Sequence, residues 1–214
     1  MNKNNPILPK AGRVAGACLG LLLASPLWGA SQVFDFKDPK GVNNAVFKLD
    51  APLEAINGTA SGISGKVTFD PDAPERTQGK IVVETASMTV PNPMMKQHML
   101  GGQWMDAEKH PEITFEALKV ARVQRDGDHV TAQVTGRLAM RGVARELTVP
   151  VKFTHLKDKL GARTNGQMQG DLLVIRAEFK VKRADFGINP AAPTDKVAEE
   201  IAITLSVAGA APRS

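Results

Sequence analysis

Asp128-His129-Val130-Thr131-Ala132-Gln133-Val134-Thr135-Gly136-Arg137-Leu138-Ala139-Met140 decides the fold. Val130, Ala132, Val134, Leu138 and Met140 fall on even positions; His129, Thr131, Gln133, Thr135 and Arg137 fall on odd ones. Side chains of an extended chain alternate between two faces, so this period of two puts the apolar groups on one side and the polar groups on the other. A helix would scatter the same residues around its axis. Arg141-Gly142 then offers a tight turn, and the rhythm resumes in Val143–His155, with Val143, Leu147, Val149, Val151 and Phe153 on one face. The two runs read as a long antiparallel hairpin with one face in water.

The same pattern extends outward. Leu173, Ile175, Ala177, Phe179 and Val181 alternate with Arg176, Glu178 and Lys180, and Val197–Val207 repeats the rhythm. Toward the N-terminus, Arg125-Asp126-Gly127-Asp128 reads as a second turn. The strand before it starts with Ile113, Phe115 and Ala117 and shifts parity to Leu118 and Val120, which predicts a bulge. Gly79–Val90, the Gly65-Val67-Phe69 stretch and the Ala45-Phe47-Leu49 stretch complete about eight strands in one domain. Long antiparallel strands either stack as a sandwich or close as a barrel. Closure removes exposed edges, and eight strands leave an interior just wide enough for a ligand, so an all-β, eight-stranded barrel is the expected fold. Pro91–Asp106 breaks the rhythm. Asn92 caps a short helix with Pro93 in its first turn, Gly101-Gly102 ends it, and the segment is placed to close one end of the barrel.

The first thirty residues carry a different message. Lys3, Lys10 and Arg13 form a basic head, Val14–Leu23 is apolar, and Pro26, Gly29 and Ala30 precede polar Ser31. That order reads as a secretory signal peptide over residues 1–30, with export to the periplasm. It leaves a domain over 31–209 and a disordered tail over 210–214. Cys18, the only cysteine, lies inside the leader. Ala15-Gly16-Ala17-Cys18 faintly resembles a lipidation box, but too little apolar sequence precedes it, so no disulfide or thiolate chemistry is expected in the mature domain. Without Lys3, Lys10 and Arg13 the 27 basic groups fall to 24 against 22 acids, a net of +2. These charges are interspersed, with no basic stripe for nucleic acid.

Several motifs now stand in order: Gly65-Lys66-Val67-Thr68-Phe69-Asp70; His98-Met99-Leu100 with Trp104-Met105-Asp106; His110-Pro111-Glu112-Ile113-Thr114-Phe115; Gly136–Arg145; and Arg183-Ala184-Asp185-Phe186-Gly187-Ile188. Together they resemble the YceI family of bacterial periplasmic lipid-binding proteins over about residues 33–209. The resemblance implies a lipocalin-like barrel whose tunnel holds a polyisoprenoid or similar long-chain lipid, with no required cofactor or metal. A homodimer and transient contact with a membrane are further partners it suggests. The chain departs from the family at Leu49-Asp50-Ala51-Pro52, at Lys96-Gln97 and at His110, positions that bear on the ligand's head group rather than on the fold.

A tunnel of this kind needs inward apolar groups that do not meet on the axis. Phe47, Phe69, Phe115, Leu138, Phe153 and Phe179 sit on apolar faces, and Met94, Met99 and Trp104 belong to the helical segment. These nine are the candidate ligand-binding residues; the bland alternative is that they fill a dry core. Met94, Met95, His98 and Met99 also form a soft donor set of the kind that selects Cu(I). Catalytic signatures are missing. His98, His110, His129 and His155 lack metal-ligand spacing, no Gly-x-Ser-x-Gly elbow occurs, and Gly58–Lys66 lacks the hydroxyl residue and following helix of a phosphate loop, leaving it a flexible turn. Arg183 and Asp185 are expected to pair at a strand end, and Arg141 and Arg145 to be solvated. A lipid carrier is therefore expected, ahead of a filled-barrel interaction protein and of an enzyme using His98 or Asp106 at the tunnel mouth.

Overall fold

A computed structural model describes Met1 and residues 31–213, so the leader reading and Cys18 lie outside the described residues. Ten strands follow in order: β1 (Gln32–Asp35), β2 (Asn44–Asp50), β3 (Ala55–Ala60), β4 (Ile63–Phe69), β5 (Gln78–Glu84), β6 (Glu112–Asp126), β7 (His129–Met140), β8 (Val143–Leu156), β9 (Gly170–Lys182) and β10 (Glu200–Pro212). Two helices, α1 (Pro93–Leu100) and α2 (Leu160–Arg163), interrupt them. Strand β7 obeys the expected alternation, with Val130, Ala132, Val134, Leu138 and Met140 buried. The β7–β8 turn needs two left-handed residues, Arg141 (φ 49°) and Gly142 (φ 76°), the pairing that matches a two-residue turn to the twist of a hairpin.

Strands β4 to β10 form an antiparallel meander. Closure comes from β1, which pairs with β4 over Gln32–Asp35 and meets β10 at Asp35↔Ala210. This ring of β1 and β4 to β10 is an eight-stranded closed barrel, not a sandwich. The first half of β10 does something else: Ala202–Ser206 pairs with Lys48–Asn44 of β2, and β2 pairs with β3. The far edge of that hairpin touches the chain beyond β5 through Thr59↔Thr89. One end of the barrel is thus sealed by a four-residue strand, while the other is widened by an inserted hairpin.

Each end has its own core. At the closed end Phe34, Phe36, Phe69, Val207 and Leu173 are buried, and the Phe69 and Phe153 rings stack at 5.4 Å. At the wide end Phe47, Leu49, Met88, Met105, Phe186 and Ile188 pack together.

The β1–β10 seam has a single register pair, and a side chain supplements it. Asn43, 2 % exposed, donates through Nδ2 to the Phe36 carbonyl (3.2 Å) and the Ala208 carbonyl (3.2 Å). Its Oδ1 accepts from the Ala208 N–H at 2.8 Å. Below the seam, Asp171 accepts from Gln32 Nε2 (3.1 Å), the Asp158 N–H (2.9 Å) and Arg213 (2.8 Å), with His155 Nε2 at 3.2 Å. Burial pushes this carboxyl up, but those donors and the Arg213 charge outweigh it and hold Asp171 below the usual carboxylate range. Asp38 is held low in the same way: burial raises it, and the N–H groups of Asn43, Lys40 and Val42 with the Arg163 charge prevail.

Several sequence expectations change here. Strands β1 and β3 were not legible. Only Ser61-Gly62 separates β3 from β4, so most of Gly58–Lys66 is strand rather than turn. Gly79–Val90 is not one strand, since β5 ends at Glu84 and a 3₁₀ turn spans Thr85–Ser87. The last strand begins at Glu200, not Val197. Residues 210–212 are not a disordered tail: Ala210 pairs with both Leu172 and Asp35, and the Arg213 N–H donates to the Gln169 carbonyl (2.9 Å). The bulge falls where the parity shift put it, at Leu118, which is extruded while Val120 stays buried.

Candidate functional site

Helix α1 stands at the wide end because its start is fixed locally. The Asn92 side chain accepts from the Met94 (2.9 Å) and Met95 (3.2 Å) N–H groups, with Pro93 in the first turn, and Gly101 ends it. Its Met95, His98 and Met99 side chains face a cavity of about 310 Å³ that runs down the barrel. That volume lies at the lower end of the range for small-molecule sites. Below the helix, the inward positions of β2, β6, β7 and β9 supply Phe47, Phe115, Leu138 and Phe179, and deeper still Val134, Val149 and Ala177. Phe153 lines the floor, backed by Phe69 and, behind that ring, His155.

Polar side chains on this surface are few: Glu54, Thr77, His98 and Arg183. Thr77 Oγ1 donates to the Pro74 carbonyl (2.6 Å). Arg183, fully buried, donates through Nε to the Ala198 carbonyl, through Nη1 to those of Ile188 and Asn189, and through Nη2 to that of Val197. Glu199 Oε2 lies 3.2 Å from Nη2, and the guanidinium stands 5.9 Å from the centre of the Trp104 ring. Five N–H donors are thereby engaged, and the loop from Ile188 to Glu199 is pinned around one cation. Arg183 pairs with Glu199, not with Asp185, because the chain reverses at Gly187 (φ 65°) and brings the far side of the loop back. Arg141 is not solvated either: it donates to the Gly187 carbonyl (2.7 Å) and the Gly102 carbonyl (2.8 Å), joining the loop after α1 to the loop after β9.

Seven of the nine expected site residues line the cavity: Phe47, Met99, Trp104, Phe115, Leu138, Phe153 and Phe179. Two do not. Phe69 sits one layer below the floor with no exposure, and Met94 is 67 % exposed because the helix turns it away from Met95 and Met99. The same rotation splits the soft donor set, so Met94 does not join Met95, His98 and Met99 at the mouth. Among the described residues no group of three or more His, Cys, Asp and Glu side chains could hold a metal. Asp106 does not line the cavity; its carboxylate lies 3.4 Å from Lys109 Nζ. His155 lies between the Phe34 and Phe69 rings and Asp171, away from the cavity. His110 covers the turn at Gly142. Met88 and Ile188 line the cavity from irregular segments, where no periodicity marks an inward position, while Val197, just before β10, shares the face that its alternation with Ile201 and Ile203 indicated.

The YceI-like domain family matches residues 38–208. The chain belongs to the YceI family. Among curated relatives, a UPF0312 protein of Azotobacter vinelandii is 28 % identical over 195 residues, covering 88 % of this chain and 94 % of its own. Protein YceI of Escherichia coli is 27 % identical over 198 residues, covering 89 % of this chain and 95 % of its own. Two solved structures share the barrel. Burkholderia cenocepacia BcnA superposes with a TM-score of 0.61 at 23 % identity, over 77 % of this chain and 95 % of its own. A polyisoprenoid binding domain from Saccharophagus degradans superposes with a TM-score of 0.63 at 10 % identity, over 86 % of this chain and all of its own. YceI membership and the barrel agree with the resemblance drawn from the motifs.

Proposed function

We propose that this YceI-family protein is a non-catalytic carrier that holds one long apolar lipid, a polyisoprenoid or related chain, in its barrel cavity. One observation carries the reading: the bore is open from α1 down to Phe153, and its wall is apolar while its buried cation is already saturated. Water in such a space has few partners, so an apolar chain displaces it favourably. A tail of about 30 carbons at roughly 0.3 kcal/mol per atom contributes on the order of 9 kcal/mol, enough for submicromolar affinity without a polar anchor. The S. degradans domain, described as polyisoprenoid binding, supports the choice of ligand class. The basic head and apolar run of residues 1–30 support export to the periplasm, where a lipid crossing between membranes needs a container.

The test is detergent-free purification followed by solvent extraction and mass spectrometry, on the wild type and on Ala177→Phe. The added ring projects from β9 into the middle of the bore. The wild type is expected to release a long-chain lipid and to take up a polyprenyl probe; the variant should remain folded and do neither. A wild type that yields no lipid and takes up no probe overturns the proposal.

A further inference from the structure

Two buried glycines on inward strand faces, Gly58 in β3 and Gly136 in β7, lie behind the cavity wall, each covered by a phenyl ring. Phe47 is the direct cross-strand neighbour of Gly58. A Cβ added at Gly58 would lie 2.1 Å from Phe47 Cζ and 2.6 Å from its Cε2. Phe115 leans diagonally from β6 over β7, and a Cβ at Gly136 would lie 2.3 Å from its Cζ and 2.7 Å from its Cε1. Non-bonded carbons do not approach that closely, so each ring edge occupies the space that a side chain would fill on any other residue. Both rings line the cavity. A third seat, Phe36 over Gly209 at 2.6 Å, lies in the closed end, where the ring is part of the plug rather than of the wall.

The consequence for the bore is geometric. A phenyl group on the inward face of a small barrel ordinarily points toward the axis, and a few of them fill the centre. Seated sideways over glycine, Phe47 and Phe115 keep their apolar area in the wall and leave the axis clear. We propose that Gly58 and Gly136 set the bore of the cavity by seating these two rings, and thereby decide whether a methyl-branched chain can enter as well as a linear one. The inference rests on the reading of the cavity as a lipid site. An isoprenoid carries a methyl branch once in each five-carbon unit, on every fourth carbon of the chain itself, so narrowing the bore penalises it before a linear alkyl chain.

The experiment compares a fluorescent geranylgeranyl probe with the linear polyene parinaric acid, on the wild type, Gly136→Ala, Phe115→Leu and the double variant. Gly136→Ala pushes the Phe115 ring off the wall. It is expected to weaken the branched probe about tenfold or more, the scale of one methyl group misfitted in an apolar pocket, and the linear probe far less. The added Cβ also meets the Glu116 carbonyl at 2.7 Å, but that contact persists when the ring is gone. The double variant should therefore bind the branched probe as Phe115→Leu does, which isolates the ring from the backbone. Equal weakening of both probes by Gly136→Ala, or a loss undiminished in the double variant, overturns the inference. Should Gly136→Ala fail to fold, Phe115→Leu decides alone: a ring already held clear of the axis can be removed with branched-probe binding close to wild type, and a change of about tenfold or more in either direction overturns the inference. A wild type that takes neither probe removes the lipid reading itself, and the inference falls with it.

Discussion

Replacing Asn43 by Ala opens the weakest part of the barrel wall. The ladder between β1 and β10 consists of one register pair, Asp35↔Ala210, and the Asn43 side chain adds three hydrogen bonds across the same seam. At 2 % exposure its site is out of reach of bulk water, so Asn43→Ala leaves the Phe36 carbonyl and both polar groups of Ala208 without that partner. Each buried group left unpaired costs about 1–3 kcal/mol, so at the low end the three groups together cost about 3 kcal/mol. That is a large share of the roughly 5–15 kcal/mol that holds a domain together. For a domain of this size it corresponds to a fall in Tm of about 6–12 °C. Urea titration and calorimetry measure it. Hydrogen exchange should show the amides of Ala208 and Ala210, which face β1, losing protection ahead of those in β7, because the seam opens first. A loss below about 1 kcal/mol, or uniform loss of protection, refutes the claim that Asn43 is the clasp.

Arg183→Lys keeps the charge but has three donors for five acceptors, and is expected to cost about 3–5 kcal/mol, read by denaturant midpoint; near-neutral behaviour would show that the Ile188–Glu199 loop is held by packing alone. Asn92→Ala removes the cap of α1 and is expected to cost about 1 kcal/mol and to speed amide exchange in Met95 and Met99, whereas Met94→Ala should change neither stability nor probe binding. The folded-state pKa values of Asp38 and Asp171 lie below the ordinary 3.8, so the stability they confer is complete above that value and disappears as the pH falls through the folded values. Acid titration of unfolding should steepen below about pH 4, and Asp171→Asn should flatten that limb; an unchanged slope removes Asp171 from the account.

Much of this molecule could be read from one dimension. The strict alternation in β7 and β8 determined their strand state and which residues face inward. So Leu138, Phe153 and Phe179 could be placed on the wall, because the side-chain period of a strand is a local property. The cap and stop of α1 were equally local, as was the bulge at Leu118. The motifs carried the family. What the sequence could not show is where the wall closes. Strand β1 is too short for any rhythm, β3 contains a glycine that mimics a turn, and nothing in β2 marks it as part of an insertion until β10 is seen to divide its edge between two partners. Phe69 and Phe153 have the same alternation, yet one is plug and the other floor, a distinction set by depth along the barrel axis. The register of distant strands alone fixes that depth. Likewise the open bore depends on two rings lying over glycines of neighbouring strands, since only tertiary packing decides which backbone a ring can lean on.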